Sequence, residues 1–330
     1  MKFQAPYGSN DPNAPYVDKN TPGAQSGSRI PAGFPNWVMR EIVDVIEKCG
    51  LVPADALQLY QAIRSLSLTP LTQDTTFYIR TDGDDNNSGL TNTAAGAFKT
   101  LLGAYNKTRA RYFANGYTIT FQLGIPGAYL GMVHDTWPGD ITISGDTANR
   151  ANYQILNVPA QKSCVAAFAG KGLTVKGASL IGTPGADQRC AWSFGGNLVL
   201  SNVDFRSTGA GILTSVLAGN SGSVTLIDEI DVYNATQSFI SAQDGAVVYL
   251  GSSNIAANIV LQSLLSFSIA FASVADSGRL IRRNVTIGGA GATGKRFDVS
   301  MNGVIDIAGG GATFFPGDAA GTQASGGQYA

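Results

Sequence analysis

A mostly β chain wound into a parallel β-helix is the fold class this sequence predicts. Three observations predict it. Short β-like runs recur behind glycines at similar intervals, one pair of successive segments matches position by position, and the composition is rich in glycine and poor in charge. Glycine accounts for 41 of the 330 residues and Asp, Glu, Lys and Arg together for 14%, against a usual ~7% and ~25%. Low charge in a chain of this size implies that much of its surface is buried, in part between subunits.

The runs are Tyr117–Phe121, Ile141–Ile143, Leu173–Val175, Leu198–Leu200, Val224–Leu226, Val247–Tyr249, Leu280–Ile281 and Val304–Ile307. Gly172, Gly196, Gly222, Gly245, Gly278 and Gly303 precede six of them, at separations of 24, 26, 23, 33 and 25 residues. Cys164-Val165-Ala166-Ala167-Phe168-Ala169-Gly170 matches Cys190-Ala191-Trp192-Ser193-Phe194-Gly195-Gly196. Past a two-residue slip, Leu173, Val175, Ala178 and Leu180 match Leu198, Leu200, Val203 and Phe205. A unit this short cannot bury its inward face alone, so successive turns must stack at roughly 4.8 Å. About 215 residues of coil make roughly eight turns, about 40 Å tall at that spacing. A leucine-rich repeat would need a Leu-rich consensus with a fixed Asn, which is missing. A β-sandwich would not echo at one-coil spacing.

The remaining elements follow in order. Residues 1–36 hold five prolines before Gly33 among Asn, Asp, Ser and Gly, without hydrophobic periodicity, so they form no core of their own. They read as an extended attachment arm. Residues 37–76 read as a helical trimerisation or attachment region. Val38, Ile42, Val45, Ile46 and Cys49 share one helical face. Gly50 and Pro53 end that helix, and a second begins near Ala54 with Ala56, Leu59, Tyr60, Ile63 and Leu66 on its stripe. Two short amphipathic helices need each other or copies of themselves. Residues 77–115 supply an entry strand, a dense turn from Thr81 to Gly89, and a helix over about 97–112 placed to cap the first coil. Residues 116–315 are the β-helix proper, and 316–330 a Gly/Ala-rich tail that finishes the last coil or packs along neighbouring subunits.

Charge and cysteine usage narrow the function. With 22 basic and 23 acidic side chains the formal net charge is −1, so no basic excess neutralises phosphates and no nucleic-acid partner is expected. No run approaches 18 to 20 apolar residues, so membrane insertion is not expected. The first residues lack a basic start and an apolar core, so no secretory leader is expected. One histidine and three scattered cysteines leave no zinc cluster, and no metal or cofactor is expected. Cys49, Cys164 and Cys190 are odd in number, which speaks against a disulfide framework and for synthesis in a reducing compartment. Cys164 and Cys190 fall one coil apart in the alignment, close enough for a disulfide, but buried free thiols are the expected state in a reducing compartment.

The segment Tyr78-Ile79-Arg80-Thr81-Asp82-Gly83-Asp84-Asp85-Asn86-Asn87-Ser88-Gly89-Leu90, followed by Ala97-Phe98-Lys99-Thr100 and a helix, resembles the entry segment of right-handed β-helix proteins. Ala5-Pro6-Tyr7-Gly8-Ser9-Asn10-Asp11-Pro12-Asn13-Ala14-Pro15-Tyr16-Val17-Asp18, the later Ile30-Pro31-Ala32 and the two helices resemble the amino-terminal region of bacteriophage tail fibre and tailspike proteins. The ending, Gly317 to Thr322 closed by Gly326-Gly327-Gln328-Tyr329, is similar to theirs. The resemblance implies a homotrimer on the virion tail, made in the cytoplasm of a bacterial host. Pro6, Tyr7, Asp11, Pro12 and Tyr16 would then serve virion attachment to a tail or baseplate protein. The coils would face a host surface glycan or protein.

Tailspikes often cleave polysaccharides, and glycoside hydrolysis needs two carboxylates about 5 to 9.5 Å apart. Asp204, Asp228, Glu229 and Asp231 are the candidates. Alignment on Val203/Ile230 and Phe205/Val232 stacks Asp204 on Asp231, where like charges would raise one pKa. Outward strand positions are commonly polar without being catalytic, so these carboxylates also read as a solvated face. His134, the only histidine, and Trp137 form a candidate glycan spot, and Arg282 and Arg283 belong to a basic cluster with Arg279, Lys295 and Arg296 that suits an acidic glycan or a sister subunit. Asp82, Asp84 and Asp85 are explained by tight turns rather than by calcium, since no Glu completes an EF-hand loop. The function expected is therefore a non-enzymatic phage tail fibre used in host adsorption. A depolymerase tailspike and a bacterial β-helical adhesin are the alternatives.

Overall fold

The computed structural model describes residues 5–11, 13–17, 27–31, 33–48, 51–54, 58–59, 62–63, 68–135, 139–168, 172–209 and 212–330. The chain divides into two units, Met1–Thr69 and Pro70–Ala330.

Among the described residues of the second unit the named strands pair in parallel from coil to coil, and the coils form a β-helix of about eight turns. Ten strands follow one another as rungs of a single long sheet: Thr75–Ile79, Ile119–Leu123, Ile141–Ser144, Gly172–Gly182, Asn197–Ser207, Ser223–Val232, Val247–Leu250, Arg279–Arg282, Val304–Asp306 and Gln328–Tyr329. All eight runs read from the sequence are rungs of this one sheet. A second sheet of eight strands closes the coil from the other side. The register is that of the sequence alignment. Leu173, Val175, Ala178 and Leu180 pair with Leu198, Leu200, Val203 and Phe205, and Ala191 to Phe194 pair with Val165 to Phe168.

Alternation along each strand sends Leu173, Val175, Leu198, Leu200, Val224, Leu226, Val248 and Leu250 inward, where all are buried. Aromatic rings stack along the same axis: Phe205 lies 5.5 Å from Phe239, Phe239 5.3 Å from Phe271, and Phe271 5.5 Å from Phe315. Such pairs add to the area they bury.

Two kinds of corner bend the chain. Between the first and second halves of the long strands sit Gly177, Asn202, Asp228 and Gly251, all with positive φ. Gly, Asn and Asp are the residues that enter this left-handed region most readily. At the other corner, Gly219–Gly222, Gln243–Ala246, Ala275–Gly278, Ser300–Gly303 and Ala324–Gly327 each close a backbone hydrogen bond from the fourth N–H to the first carbonyl. Both central residues of each have positive φ, the signature of a type I′ turn. The fourth residue then lies under the preceding coil. A Cβ on Gly278 would come within 2.4 Å of the Ala242 carbonyl oxygen, and one on Gly303 within 2.8 Å of that of Val274. This corrects the glycine series. Ala246, not Gly245, is the counterpart of Gly222 and Gly278, while Gly172 pairs with Asn197 and stands one residue further on.

The capping helix is Leu101–Arg111, shorter than expected, with Thr100 as N-cap accepting from Gly103 N–H. Asp85 accepts from the backbone N–H groups of Lys99 and Thr100 and from the Thr100 hydroxyl, Asp82 pairs with Arg80, and Asp84 accepts from Asn86 N–H. Residues 316–330 are no loose tail. Thr322–Gln323 and Gln328–Tyr329 add the last parallel rungs, and the Tyr329 ring stacks on Phe297 at 3.7 Å.

In the first unit a helix spans Gly33–Lys48, four residues ahead of its expected start. Leu59, Ala62 and Ile63 are helical, while Cys49, Gly50 and most of the second predicted helix lie outside the described residues. The arm doubles back on itself instead of running extended: Tyr7 N–H donates to the Arg29 carbonyl and Ser28 N–H to that of Val17.

Candidate functional site

The outward row of the long strands' second halves runs Gln154, Ser179, Asp204, Asp231 on successive coils. Asp204 and Asp231 are in register, as the alignment on their neighbours predicts. Arg150 lies across this row. It opens the short 3-10 turn Arg150–Asn152, in the link between strands Ile141–Ser144 and Tyr153–Leu156. Its Nε donates to Asp204 Oδ1 at 2.7 Å, and Nη2 donates to Asp231 Oδ2 and, at 3.3 Å, to Glu229 Oε1. Gln262 Nε2 donates to the other Asp231 oxygen at 2.8 Å, and Arg206 Nη2 to Asp204 Oδ2 at 3.2 Å. Ser179 Oγ lies 2.9 Å from Asp204 Oδ2.

The electrostatics follow from burial. The Asp204 and Asp231 side chains are 3% and 6% exposed, whereas that of Glu229 is 51% exposed. Burial raises the Asp231 carboxyl above its ordinary pKa. Gln262 and Arg150 oppose that rise, and the Asp204 and Glu229 charges add to it. Burial works against the charge of Arg150, but Asp204, Asp231 and Glu229 outweigh it and hold the guanidinium above its normal value. An open groove of about 480 Å³ adjoins the cluster. It is lined by Thr147, Asn149, Asn152, Arg206, Glu229 and Tyr233 among others. The Arg206 guanidinium lies over the Tyr233 ring, its Cζ 3.5 Å from the centroid.

Chemically, this is an ion cluster that ties one turn to strands two and three coils away in the stack. The two stacked carboxylates are covered and bonded to the same guanidinium. Glu229 is the carboxylate of the three that faces solvent.

The other predicted residues are dispersed. Asp228 sits at a corner with φ +59° and accepts from the Ser201 hydroxyl, so its carboxylate serves the bend and not the row. His134 is a correction: it is fully buried, edge-on to Tyr105 at 5.7 Å, and presents no face to a glycan. Trp137 lies outside the described residues. Arg282 donates to the Ile307 carbonyl and lies over Phe314, and Arg283 lies over Tyr249, so both guanidinium groups are engaged within the fold. Lys295 faces Asp298 at 3.7 Å and Arg296 donates to the Ala319 carbonyl. Cys164 and Cys190 are buried free thiols, and burial pushes the Cys164 thiol well up. Of the attachment residues, Tyr7 and Tyr16 are exposed, Asp11 accepts from Asn13 N–H, Pro6 accepts from Ser9 N–H, and Pro12 lies outside the described residues.

Arg150, Ser179, Arg206, Tyr233 and Gln262 escaped the sequence reading. The alignment that stacked Phe205 on Val232 also places Arg206 beside Tyr233. Arg150 lies in the link between the two strands of one coil, in a stretch that the next coil replaces by the single corner residue Gly177, so no periodicity marks it.

No family model matches the chain, and no curated protein matches its sequence. Among solved structures, pectin methylesterase from Aspergillus niger, in a deglycosylated and a penultimately deglycosylated form, is similar at a TM-score of 0.44 and 13% identity. The match covers 80% of this chain and 86% or 87% of the other.

Proposed function

We propose that this chain is a subunit of a homotrimeric bacteriophage tail fibre, attached to the tail or baseplate through its first unit and presenting its β-helix for host adsorption. One observation carries the assembly part of this reading. The helix Gly33–Lys48 buries only Ile46 among its sixteen residues. Val38, Ile42 and Val45 are half-covered, and Phe34, Trp37 and Met39 stand 38%, 45% and 62% exposed. An amphipathic helix with this much apolar surface in water needs a partner. Copies of itself supply one in a symmetric oligomer. The resemblance of residues 5–18 to tail fibre amino termini supplies the virion context.

The test is the native mass of the full-length protein at micromolar concentration, by ultracentrifugation. A trimer is expected, dissociating to monomer in a Trp37→Asp/Met39→Asp variant. A monomeric wild type would overturn the reading. Antibody against the chain should label virion tails.

A depolymerase is the second reading, favoured by Asp204 stacked on Asp231 beside an open groove. Against it, both carboxylates are covered and bonded to Arg150, out of reach of a glycosidic oxygen. New reducing ends from a bacterial surface polysaccharide would establish it.

A further inference from the structure

The geometry points to the groove beside Arg150 as a binding site for a neutral saccharide. The inference rests on the adsorption reading for its biological role, though not for the binding itself.

The groove presents donors and acceptors side by side. Arg206 is fixed by its stacking on Tyr233 and its bond to Asp204. Its side chain is 30% exposed and lines the groove. In the same lining are the half-exposed Glu229 carboxylate, the Tyr233 phenol and the amides of Asn149 and Asn152. Burial raises the Tyr233 pKa, with Asp204 adding to the rise, so its hydroxyl stays a neutral donor and acceptor. Adjacent groups of both kinds match a ring bearing vicinal hydroxyls, each of which donates and accepts.

Two features exclude other ligands. The apolar side chains at the groove are small, Ala148 and Ala151, so an apolar peptide side chain finds no pocket. The ion cluster carries three carboxylates, Asp204, Glu229 and Asp231, against two guanidinium groups, Arg150 and Arg206. A uronate or phosphorylated sugar would add to that excess of negative charge. Neutral hexose, deoxyhexose or N-acetylhexosamine units fit it. The site also differs from the Arg279–Arg283 region, whose cations suggested an acidic glycan.

The experiment applies the full-length protein to an array of neutral and uronate-bearing oligosaccharides, followed by calorimetric titration of the neutral binders. Binding confined to neutral oligosaccharides is expected. It should weaken about tenfold or more in Glu229→Gln, since a hydrogen bond to a charged group is worth about that factor. Asn152→Ala, an exposed change elsewhere in the lining, should weaken it too, with the melting temperature of both variants unchanged. Binding only to acidic oligosaccharides or to apolar peptides, no glycan binding, or binding untouched by both variants overturns the inference. The native mass of the same sample separates the two readings. A trimer that binds no glycan leaves the fibre standing and removes the groove. A monomer that binds neutral glycans does the reverse.

Discussion

Replacing Arg150 with Met should cost the β-helix a large part of its stability. The guanidinium holds two carboxylates that are 3% and 6% exposed and sit on adjacent rungs. Removing it leaves both facing each other in a covered site with only neutral donors and Arg206. Breaking a buried ion pair by deleting one partner costs about 3–5 kcal/mol. At about 2–4 °C per kcal/mol for a large domain, the melting temperature of Arg150→Met should fall by roughly 6–20 °C in calorimetry. Asp204→Asn/Asp231→Asn added to Arg150→Met should return most of it, because the uncompensated charge is then gone. The pH dependence has a definite sign. Burial already holds the Asp231 carboxyl above its ordinary value, and Arg150→Met removes a charge that opposes the rise. The Asp231 penalty is present in full above its folded pKa, shrinks as pH falls through it and is gone below the unfolded ~3.9, so the variant should approach wild-type stability in acid. A loss of less than about 1 kcal/mol, or no rescue by the two asparagines, would refute the assignment of Arg150 as the counterion of a buried pair.

Other outcomes follow from the packing. Gly278→Val drives a Cβ to 2.4 Å from the Ala242 carbonyl oxygen and should cost about 1–3 kcal/mol or more in urea denaturation. Gly245→Asn, at φ +71° with nothing nearer than Ser221 Oγ at 3.5 Å, should stay within about 0.5 kcal/mol of wild type. Phe239→Ala removes the ring between Phe205 and Phe271 and should cost about 3–5 kcal/mol. Burial lifts the Tyr129 phenol to about 12, and its hydroxyl donates to the Ile125 carbonyl at 2.6 Å. Stability should therefore be lost as pH rises from the unfolded tyrosine value near ~10 through about 12. Tyr129→Phe should flatten that loss.

Much of the coil was legible in the sequence because its signal repeats. Inward Leu, Val and Phe recur one coil apart, so aligning Val203 with Ile230 and Phe205 with Val232 placed Asp204 against Asp231 at the register the structure has. The glycines marked the tight corner for two different reasons that sequence alone merges. Gly278 and Gly303 are needed for close approach to a carbonyl, whereas Gly245 takes a positive φ that Ser221, Ser277 and Asn302 also adopt in the equivalent turns, and this shifted one member of the series by a residue. The second sheet was harder to read. Only the match of Val165–Phe168 with Ala191–Phe194 showed in it, because rungs such as Ser238–Ala242 and Ala270–Val274 are rich in Ala and Ser and lack a clean apolar alternation. His134 misled because a lone histidine beside an aspartate reads as a surface site, while its register opposite Ala167 turns it inward. The arm's return to Ser28 and Arg29 rests on two backbone bonds and on the Ser28 hydroxyl accepting from Val17 N–H, none of which leaves a periodic pattern.

The ion cluster is not what holds the coils together, and that bears on its purpose. In a stack each rung contacts mainly its neighbours, and the inward ladders of Val, Leu, Ile and Phe already bind coil to coil along the whole axis. An apolar row of similar volume in place of a buried ion pair is often neutral or stabilising by about 1–4 kcal/mol. The same outward row continues to Val260 on the next coil without charge. Charge at Asp204 and Asp231 is therefore not a requirement of the row. What the cluster does supply is a fixed position for the turn at 147–152, for Arg206 and for Glu229, which together wall the groove. Arg150→Met/Asp204→Leu/Asp231→Leu should accordingly fold with a melting temperature at or above that of the wild type and lose binding of neutral oligosaccharides. If it melts well below wild type, the cluster serves the fold. If it binds as the wild type does, the turn and Arg206 are placed by other contacts.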